Sequence, residues 1–214
     1  MRSASIVALL AAGLVGACAT TPPPAPPPPA APLAPPTDAA AACLAGLDQR
    51  HVAYQRIKDW HTPEGCGIDQ AVQVVAEATQ WNRPALLACP FAARLWDFET
   101  QVVQPAAEAN LGHAVTKTSN AGSYDCRGQR SDHPERMSEH AFGLAIDITG
   151  FELDDGTRIT VLQDWSAQGA KGKFLHQVAE GACHMFNVVI TPNSNALHHD
   201  HLHLDNGPYK YCGK

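Results

Sequence analysis

The sequence has few basic residues and lacks the motifs of several enzyme classes. Lysine and arginine number 15 against 21 acidic residues, and they form no run, so the electrostatic footprint of a nucleic-acid-binding protein is missing. No C-x-x-C spacing occurs, which leaves a thiolate zinc ribbon or a thioredoxin-like redox pair without support. G-x-S-x-G and S-x-x-K motifs are also missing. We therefore expect no nucleic acid among the partners and no serine nucleophile.

The first seventeen residues have the pattern of an export signal. Arg2 precedes an apolar stretch over 6–14 that is too short to span a bilayer, and the small residues at 15–17 suit a signal peptidase. Cys18 follows at once and resembles the lipid-modified first residue of bacterial lipoproteins; an incidental cysteine is the alternative. The residue after this cysteine is Ala19, not an acidic residue, which resembles the pattern of lipoproteins sent to the outer membrane. We expect an exported protein, held in the cell envelope only by a lipid on Cys18 and facing the periplasm.

A proline-rich spacer separates this signal from the rest of the chain. Ten of the 17 prolines lie between Pro22 and Pro36. Such a run favours polyproline II and spans roughly 3 Å per residue; a ligand for a proline-recognising module is disfavoured outside a cytoplasm. The expected organisation is a lipoprotein signal peptide over 1–17, a lipid-anchored linker over 18–38 and one domain over 39–214.

The cysteines beyond Cys18 predict disulfide bonds. Six remain, widely spaced, and an even number in an exported chain is typical of three disulfides. Their spacing does not select a pairing, although a bond between Cys183 and Cys212 would clamp the histidine-rich segment near the end of the chain. The six candidates are Cys43, Cys66, Cys89, Cys126, Cys183 and Cys212.

Hydrophobic periodicity predicts an α+β domain. The predicted helices cover 39–60, 91–110 and 173–186, and the predicted strands cover 113–118, 144–149, 158–162, 187–191 and 202–205. A long loop rich in polar residues and glycine separates the two halves over 120–139. Helices and antiparallel hairpins without a βαβ rhythm favour a small antiparallel sheet with flanking helices.

Two segments concentrate residues that can bind a metal. The first, "SEHAFGLAID" over 138–147, places His140 seven residues before an aspartate among isoleucines, and a carboxylate with so little polar company needs a partner or a metal ion. The second, "ALHHDHLHLD" over 196–205, holds four histidines; a solvated run is its alternative reading. Two histidines and one aspartate, with a fourth position left to water, are the ligands of a catalytic zinc site.

The two segments together resemble a known paired motif. S-x-H-x-x-G-x-A-x-D followed by D-x-x-H is similar to the motif of the D-Ala-D-Ala metallopeptidase and hedgehog-like group, which includes murein endopeptidases. "GCGI" at 65–68, "SYDCR" at 123–127 and "SEHAFGLAIDITGFELDDG" at 138–156 resemble the bacterial extensin-like C-terminal domain family. The resemblance covers roughly residues 40–214. Leu144 departs from it, because this family is expected to favour asparagine there.

The resemblance implies a zinc fold of the hedgehog or DD-peptidase type and a role for each nearby side chain. The implied zinc ligands are His140, Asp147 and His203. The implied catalytic and cleft residues are Asp200 as the general base, Arg127 as the group that holds the substrate or the oxyanion, and His198 and His201 as cleft residues that could stabilise the tetrahedral intermediate.

Strand alternation leaves the identity of the base open. In a regular strand His201 and His203 share a face while Asp200 points to the other, so Asp200 and His203 reach one metal only if the strand begins after Asp200. We predict that Asp200 lies on the loop. In a strand that is regular from His199 onward, His201 is the better candidate.

Two functions from different classes fit these features. The first is an envelope-anchored zinc metallopeptidase that hydrolyses an amide bond in peptidoglycan peptides, as a DD-endopeptidase or DD-carboxypeptidase. The second is a non-catalytic envelope module that contains zinc and binds peptidoglycan or a partner protein. The complete ligand set, together with Asp200, favours the enzyme.

Overall fold

The computed structural model describes residues 33–129 and 135–213, so Cys18 and the predicted signal peptide lie outside it. The helices are α1 (Asp38–Gln49), α2 (Cys89–Phe98), α3 (Gln104–Leu111), α4 (Val161–Asp164) and α5 (Ala170–Met185). The strands are β1 (Ala53–Arg56), β2 (Trp60–His61), β3 (Gly67–Ile68), β4 (Ala71–Ala76), β5 (Gln80–Ala88), β6 (Val115–Gly122), β7 (Ala145–Leu153), β8 (Arg158–Thr160), β9 (Val188–Ile190), β10 (Leu202–Asp205) and β11 (Tyr211–Cys212). Within these ranges no helix is long and apolar enough to cross a membrane.

Nine strands form one mixed sheet. Its order is β1-β4-β5-β6-β7-β10-β9-β11, with β8 paired to β7, while β2 and β3 form a separate ribbon. The pairs β5–β6 and β9–β11 are parallel, and the other pairs are antiparallel. The α+β class is confirmed, but the predicted small antiparallel sheet was wrong, because β4 and β5 add a long hairpin that had not been predicted and two pairs run parallel.

The first predicted helix is shorter than expected. Helix α1 ends at Gln49, and His51 takes a left-handed conformation with φ of 56°, which turns the chain. The next residues form β1, where Tyr54 pairs with Val74 of β4. Pairing with the unforeseen hairpin therefore replaces the helical continuation that had been predicted up to Trp60.

One face of the sheet packs against the helices and forms the core. Phe91, Leu95 and Phe98 recur at intervals of three and four residues on α2 and are fully buried. They share one apolar cluster with Ile146 of β7 and Leu204 of β10. Because alternate strand residues face opposite sides, the intervening residues of β7 and β10 project from the other face.

Three disulfides fasten the chain, as the cysteine count predicted. The bonds are Cys43–Cys89, Cys66–Cys126 and Cys183–Cys212, and the last of these is the one singled out from the sequence. The second immediately precedes Arg127, and the third ties α5 to β11. Both bonds therefore restrain segments near the face of the sheet that is not packed against the helices.

Two acidic side chains are buried away from that face. The Glu99 carboxylate, at the π-helical turn between α2 and α3, accepts hydrogen bonds from Thr79, Trp81 and Thr118. Both carboxylate oxygens of Glu77 are buried without a hydrogen-bond partner among the described residues. Burial raises the pKa of Glu77 well above its usual value, and the negative charge of Glu99 raises it further.

Glu77 should make the protein less stable as the pH rises. The folded state holds the Glu77 proton more tightly than the unfolded state does, because its pKa is raised on folding. This contribution to the free energy of unfolding is fully present below the ordinary pKa of 4.5, and it is lost as the pH rises through the folded-state pKa. We expect Glu77→Met to increase the free energy of unfolding at about pH 8 by about 1–3 kcal/mol and to change it little at about pH 4. Urea denaturation across this range measures the effect.

The matched control is Glu108→Met, which changes an exposed glutamate of α3. It should leave the pH dependence of the wild-type protein in place. An identical pH dependence in Glu77→Met and the wild-type protein would contradict the assignment.

Candidate metal centre

Strands β7 and β10 bring together two of the predicted ligands. Asp147 and His203 are directly paired in the antiparallel register, and both face away from the core residues Ile146 and Leu204. His203 Nδ1 lies 3.0 Å from Asp147 Oδ1. The alternation of apolar and polar residues in the two segments thus places one ligand from each strand side by side.

A short turn before β7 supplies the third ligand. His140 lies in the 3-10 turn Glu139–Phe142, which ends at Gly143 with a left-handed φ of 64°. A Cβ at Gly143 would lie 2.5 Å from Ile68 Cδ1, so only glycine fits this turn. The turn places His140 Nε2 3.2 Å from His203 Nδ1 and 3.3 Å from Asp147 Oδ1.

The far nitrogen of each imidazole is fixed by an acceptor. His140 Nδ1 lies 2.6 Å from the Ser123 carbonyl oxygen, which can only accept, so Nδ1 carries the proton. His203 Nε2 donates to Asp205 Oδ2 at 2.8 Å, while Asp205 Oδ1 accepts from the Gly207 N–H. A neutral imidazole in either position therefore directs the lone pair of its other nitrogen into the site.

Three acceptor atoms consequently meet at one point: His140 Nε2, His203 Nδ1 and Asp147 Oδ1. Such atoms repel one another unless protons or a metal ion lie between them. Tetrahedral zinc with bonds of about 2.0–2.1 Å requires ligand atoms separated by about 3.3 Å, and the three distances here are 3.0, 3.2 and 3.3 Å. The donor set and its spacing therefore fit a zinc ion with its remaining side open.

The electrostatics of the centre favour a bound cation. Burial alone lowers the pKa of His203, but hydrogen bonds to the Asp147 and Asp205 carboxylates outweigh it and raise this pKa to about 9. Burial alone raises the pKa of Asp147, but protons carried on the facing ring nitrogens of His140 and His203 hold it far below its usual range. A metal ion that binds His203 Nδ1 must displace a proton there.

Asp200 and His201 form a dyad at the rim of this centre. Asp200 precedes β10, as predicted, but its half-exposed side chain lies against His201, with 2.8 Å between Asp200 Oδ1 and His201 Nδ1. His201 Nε2 lies 3.5 Å from Asp147 Oδ1. The strand is not regular from His199 onward, since β10 begins at Leu202. His201 nevertheless faces the centre, on the same side as His203, two residues further along.

His198 lies beside the same group of rings. Its ring centroid is 4.9 Å from that of His201 and 5.9 Å from that of His203. Burial, together with positive charge on these two histidines, lowers the pKa of His198 to about 4. Its Nδ1 donates to Asn195 Oδ1, which also accepts from the Leu197 N–H, so its Nε2 is an acceptor.

Arg127 also lines the cleft, directly after the Cys66–Cys126 disulfide. Its Nε donates to Asp125 Oδ2 at 2.7 Å, and its Nη1 donates to the Gly128 carbonyl oxygen. The guanidinium is thereby fixed in orientation, with donor capacity left for a bound anion.

The profile of the family described as "Extensin-like protein C-terminus" matches residues 41–213. The chain belongs to the extensin-like C-terminus family. It matches no curated protein and no solved structure. All the candidate site residues of the extensin-like domain lie inside the matched range, and the family description names no reaction.

In the extensin-like domain, a cleft of about 320 Å³ opens beside the candidate metal centre. Its lining includes every predicted metal and catalytic residue except Asp200. It also includes residues that had not been predicted: Gln129, Ser138, Glu139, Val188, Ile190, Asn195, Leu197, Asp205, Gly207, Tyr209 and Tyr211. Two of these had a signal in the sequence: Ser138 opens the S-x-H-x-x-G-x-A-x-D motif, and Asp205 follows His203 by two residues and shares its face of β10.

A second His–Asp grouping has a different arrangement. His113 Nδ1 lies 2.8 Å from Asp154, and His113 Nε2 lies 3.5 Å from Asp155. Both ring nitrogens are thus engaged by separate carboxylates at an exposed position. No lone pair of this imidazole is directed to a shared point, in contrast to the buried centre.

The partner of His203 can be tested directly. In Asp205→Asn the new amide can donate to His203 Nε2, which favours a proton on Nδ1 and blocks the ligand atom. We expect zinc affinity to fall by about 10- to 100-fold, as measured by competition with a chromophoric chelator. Asp200→Asn makes the same chemical change within the dyad, away from the ligand atoms, and should leave zinc affinity unchanged. Equal affinities in the two variants would contradict the tautomer assigned to His203.

Proposed function

We propose that the extensin-like domain is a zinc-dependent hydrolase that cleaves an amide bond in peptidoglycan peptides, as a DD-endopeptidase or DD-carboxypeptidase. The convergence of His140 Nε2, Asp147 Oδ1 and His203 Nδ1 on one point beside an open cleft carries this proposal. The paired motif that resembles the D-Ala-D-Ala metallopeptidase and hedgehog-like group supports both the chemistry and the substrate class. On this proposal the domain is a distant variant of that zinc fold.

A zinc ion at this centre would polarise the amide carbonyl and lower the pKa of a water molecule. His201 is placed to move the proton, because its Nε2 faces the centre while its Nδ1 bonds to a carboxylate. In this arrangement Asp200 orients the ring and stabilises its charged form, as in other carboxylate–histidine pairs. His201 can therefore accept a proton at Nε2 and return it to the leaving amine.

Two further side chains suit the binding of the peptide. The Arg127 guanidinium can donate hydrogen bonds to a substrate carboxylate or to the developing oxyanion. His198 is neutral at ordinary pH, and its Nε2 accepts rather than donates in the tautomer set by Asn195. We therefore assign His198 to a substrate N–H instead of the negatively charged intermediate expected from the sequence.

The cell envelope is the proposed place of action. Disulfides persist in oxidising compartments outside the cytoplasm, and the three bonds of this domain support an exported protein. The proline-rich linker and the lipid on Cys18 would keep the domain near a membrane while it reaches the peptidoglycan. These parts remain predictions from the sequence.

Digestion of purified muropeptides tests the function. The zinc-loaded protein should convert them to shorter products, identified by mass spectrometry, and both the zinc-free protein and His203→Ala should leave them intact. Unchanged muropeptides in the presence of protein that holds one zinc ion per chain would overturn the enzyme and favour the non-catalytic binding module.

A further inference from the structure

The floor of the cleft continues beyond the metal centre and changes its chemistry. In the register of β10 with β9, His203 is paired with Ile190 and Asp205 with Val188. Val188 is paired in turn with Tyr211 of β11. Paired residues share a face of the sheet, so the surface changes from ionisable to apolar within one strand spacing of about 4.8 Å.

Exposed apolar side chains are concentrated at this end of the cleft. Among the described residues, six large apolar side chains are exposed: Leu33, Val75, Leu162, Leu197, Tyr209 and Tyr211. The last three line the cleft, with exposures of 57%, 49% and 49%. Exposed apolar groups gathered beside a polar centre are typical of a surface that binds a ligand.

The apolar end is built before any ligand arrives. Cys212 is bonded to Cys183 of α5, and the Tyr211 N–H donates to the Asn187 carbonyl oxygen, which together fix β11 beside β9. The Leu197 N–H donates to Asn195 Oδ1, which fixes the turn that carries Leu197. A surface held in place in this way loses little conformational entropy on binding.

The ring of Tyr209 is already covered by the guanidinium of Arg136, which lies 5.3 Å from the ring centroid. The remaining apolar side chains are Val188, Ile190, Leu197 and Tyr211, which offer a ligand little hydrogen bonding apart from the Tyr211 hydroxyl. A polar group placed among them would lose hydrogen bonds to water and would gain fewer hydrogen bonds from the protein in return.

We propose that Val188, Ile190, Leu197 and Tyr211 form a subsite for the uncharged apolar side chain of the residue next to the hydrolysed amide. The part of this statement that concerns hydrolysis rests on the proposed function, whereas the preference in binding does not. The subsite selects among peptides by burial of apolar surface, while the metal centre contacts the amide itself.

Binding of two nearly isosteric peptides tests the subsite. The probes are blocked dipeptides that join D-alanine to leucine or to asparagine, in both orders, because the two side chains match in shape and neither is charged. Titration calorimetry with the zinc-free full chain measures binding without turnover. We expect the leucine peptide of one order to bind about tenfold more tightly than its asparagine counterpart.

Variants at the surface locate the preference. Leu197→Ser and Tyr211→Ser should each reduce the leucine-to-asparagine ratio to below about threefold, whereas Tyr211→Phe keeps the ring and should retain it. Leu162→Ser is the matched control, since Leu162 is 60% exposed but lies on α4, outside the cleft lining. Thermal unfolding confirms that each variant is folded.

A wild-type protein that does not discriminate between the peptides would overturn the subsite, as would a ratio that survives both serine variants. Failure of the subsite differs from failure of the function. Muropeptide hydrolysis without discrimination removes the subsite alone, and discrimination without any hydrolysis removes the proposed enzyme and leaves a binding surface.

Discussion

Replacing His203 by alanine is expected to lower zinc affinity by more than about 100-fold. This side chain supplies one of only three ligand atoms, and loss of a group that merely supports a ligand already costs about 10- to 100-fold. The variant also separates Asp147 from its hydrogen-bonding partner on β10. Competition with a chromophoric chelator gives the affinity, and metal analysis after dialysis gives the zinc content per chain.

The same histidine cluster contains the control. His199 is exposed, and its Nδ1 bonds to the Ala196 carbonyl oxygen instead of facing the centre. His199→Ala should therefore bind one zinc ion as tightly as the wild-type protein. Undiminished zinc binding by His203→Ala would remove this residue from the centre, and loss of zinc from His199→Ala would indicate a surface site.

Replacing His201 by alanine should lower the rate of muropeptide hydrolysis by about 10²- to 10⁴-fold while the zinc content stays unchanged. The reason is positional: His201 Nε2 lies 3.5 Å from Asp147 Oδ1, whereas the Asp200 carboxylate is engaged with the other side of the same ring. Asp200→Ala should cause a smaller loss, because it leaves the imidazole in place without its orienting partner. Initial rates at saturating zinc measure both effects.

The opposite ranking would assign the base to Asp200, as the resemblance implied. In that case Asp200→Ala would be the more damaged variant and His201→Ala would stay close to the wild-type rate. His199→Ala serves again as a control and should be fully active. Zinc content, measured on the same samples, separates a lost base from a lost metal.

Much of the centre could be predicted because its ligands lie in two short segments with clear local patterns. The seven-residue interval from His140 to Asp147 contains a turn that requires Gly143, and the alternation around His203 fixes its face of the strand. The choice of these three ligands among the histidines came from the resemblance to the paired motif. The Cys183–Cys212 bond was one possibility among several, because the cysteine spacing did not select a pairing, and the structure contains it.

The remainder depends on long-range pairing that no local pattern reveals. The hairpin of β4 and β5 enlarges the sheet, and its partner β1 occupies part of the chain that reads as helix. The apolar end of the cleft joins β9, the turn at Leu197 and β11, which are separate in sequence. Asp200 and His201 are adjacent, and their roles depend on which of the two side chains faces the metal centre. A shift of one residue in the strand alternation would exchange them.

The location of zinc in the protein tests the proposed metal centre most directly. Crystals of the zinc-loaded protein, with diffraction data collected on both sides of the zinc absorption edge, would show the ion without reference to activity. We predict one anomalous peak per chain, bounded by His140 Nε2, Asp147 Oδ1 and His203 Nδ1. A peak held only by the exposed histidines of the cluster, with none between these three atoms, would contradict it.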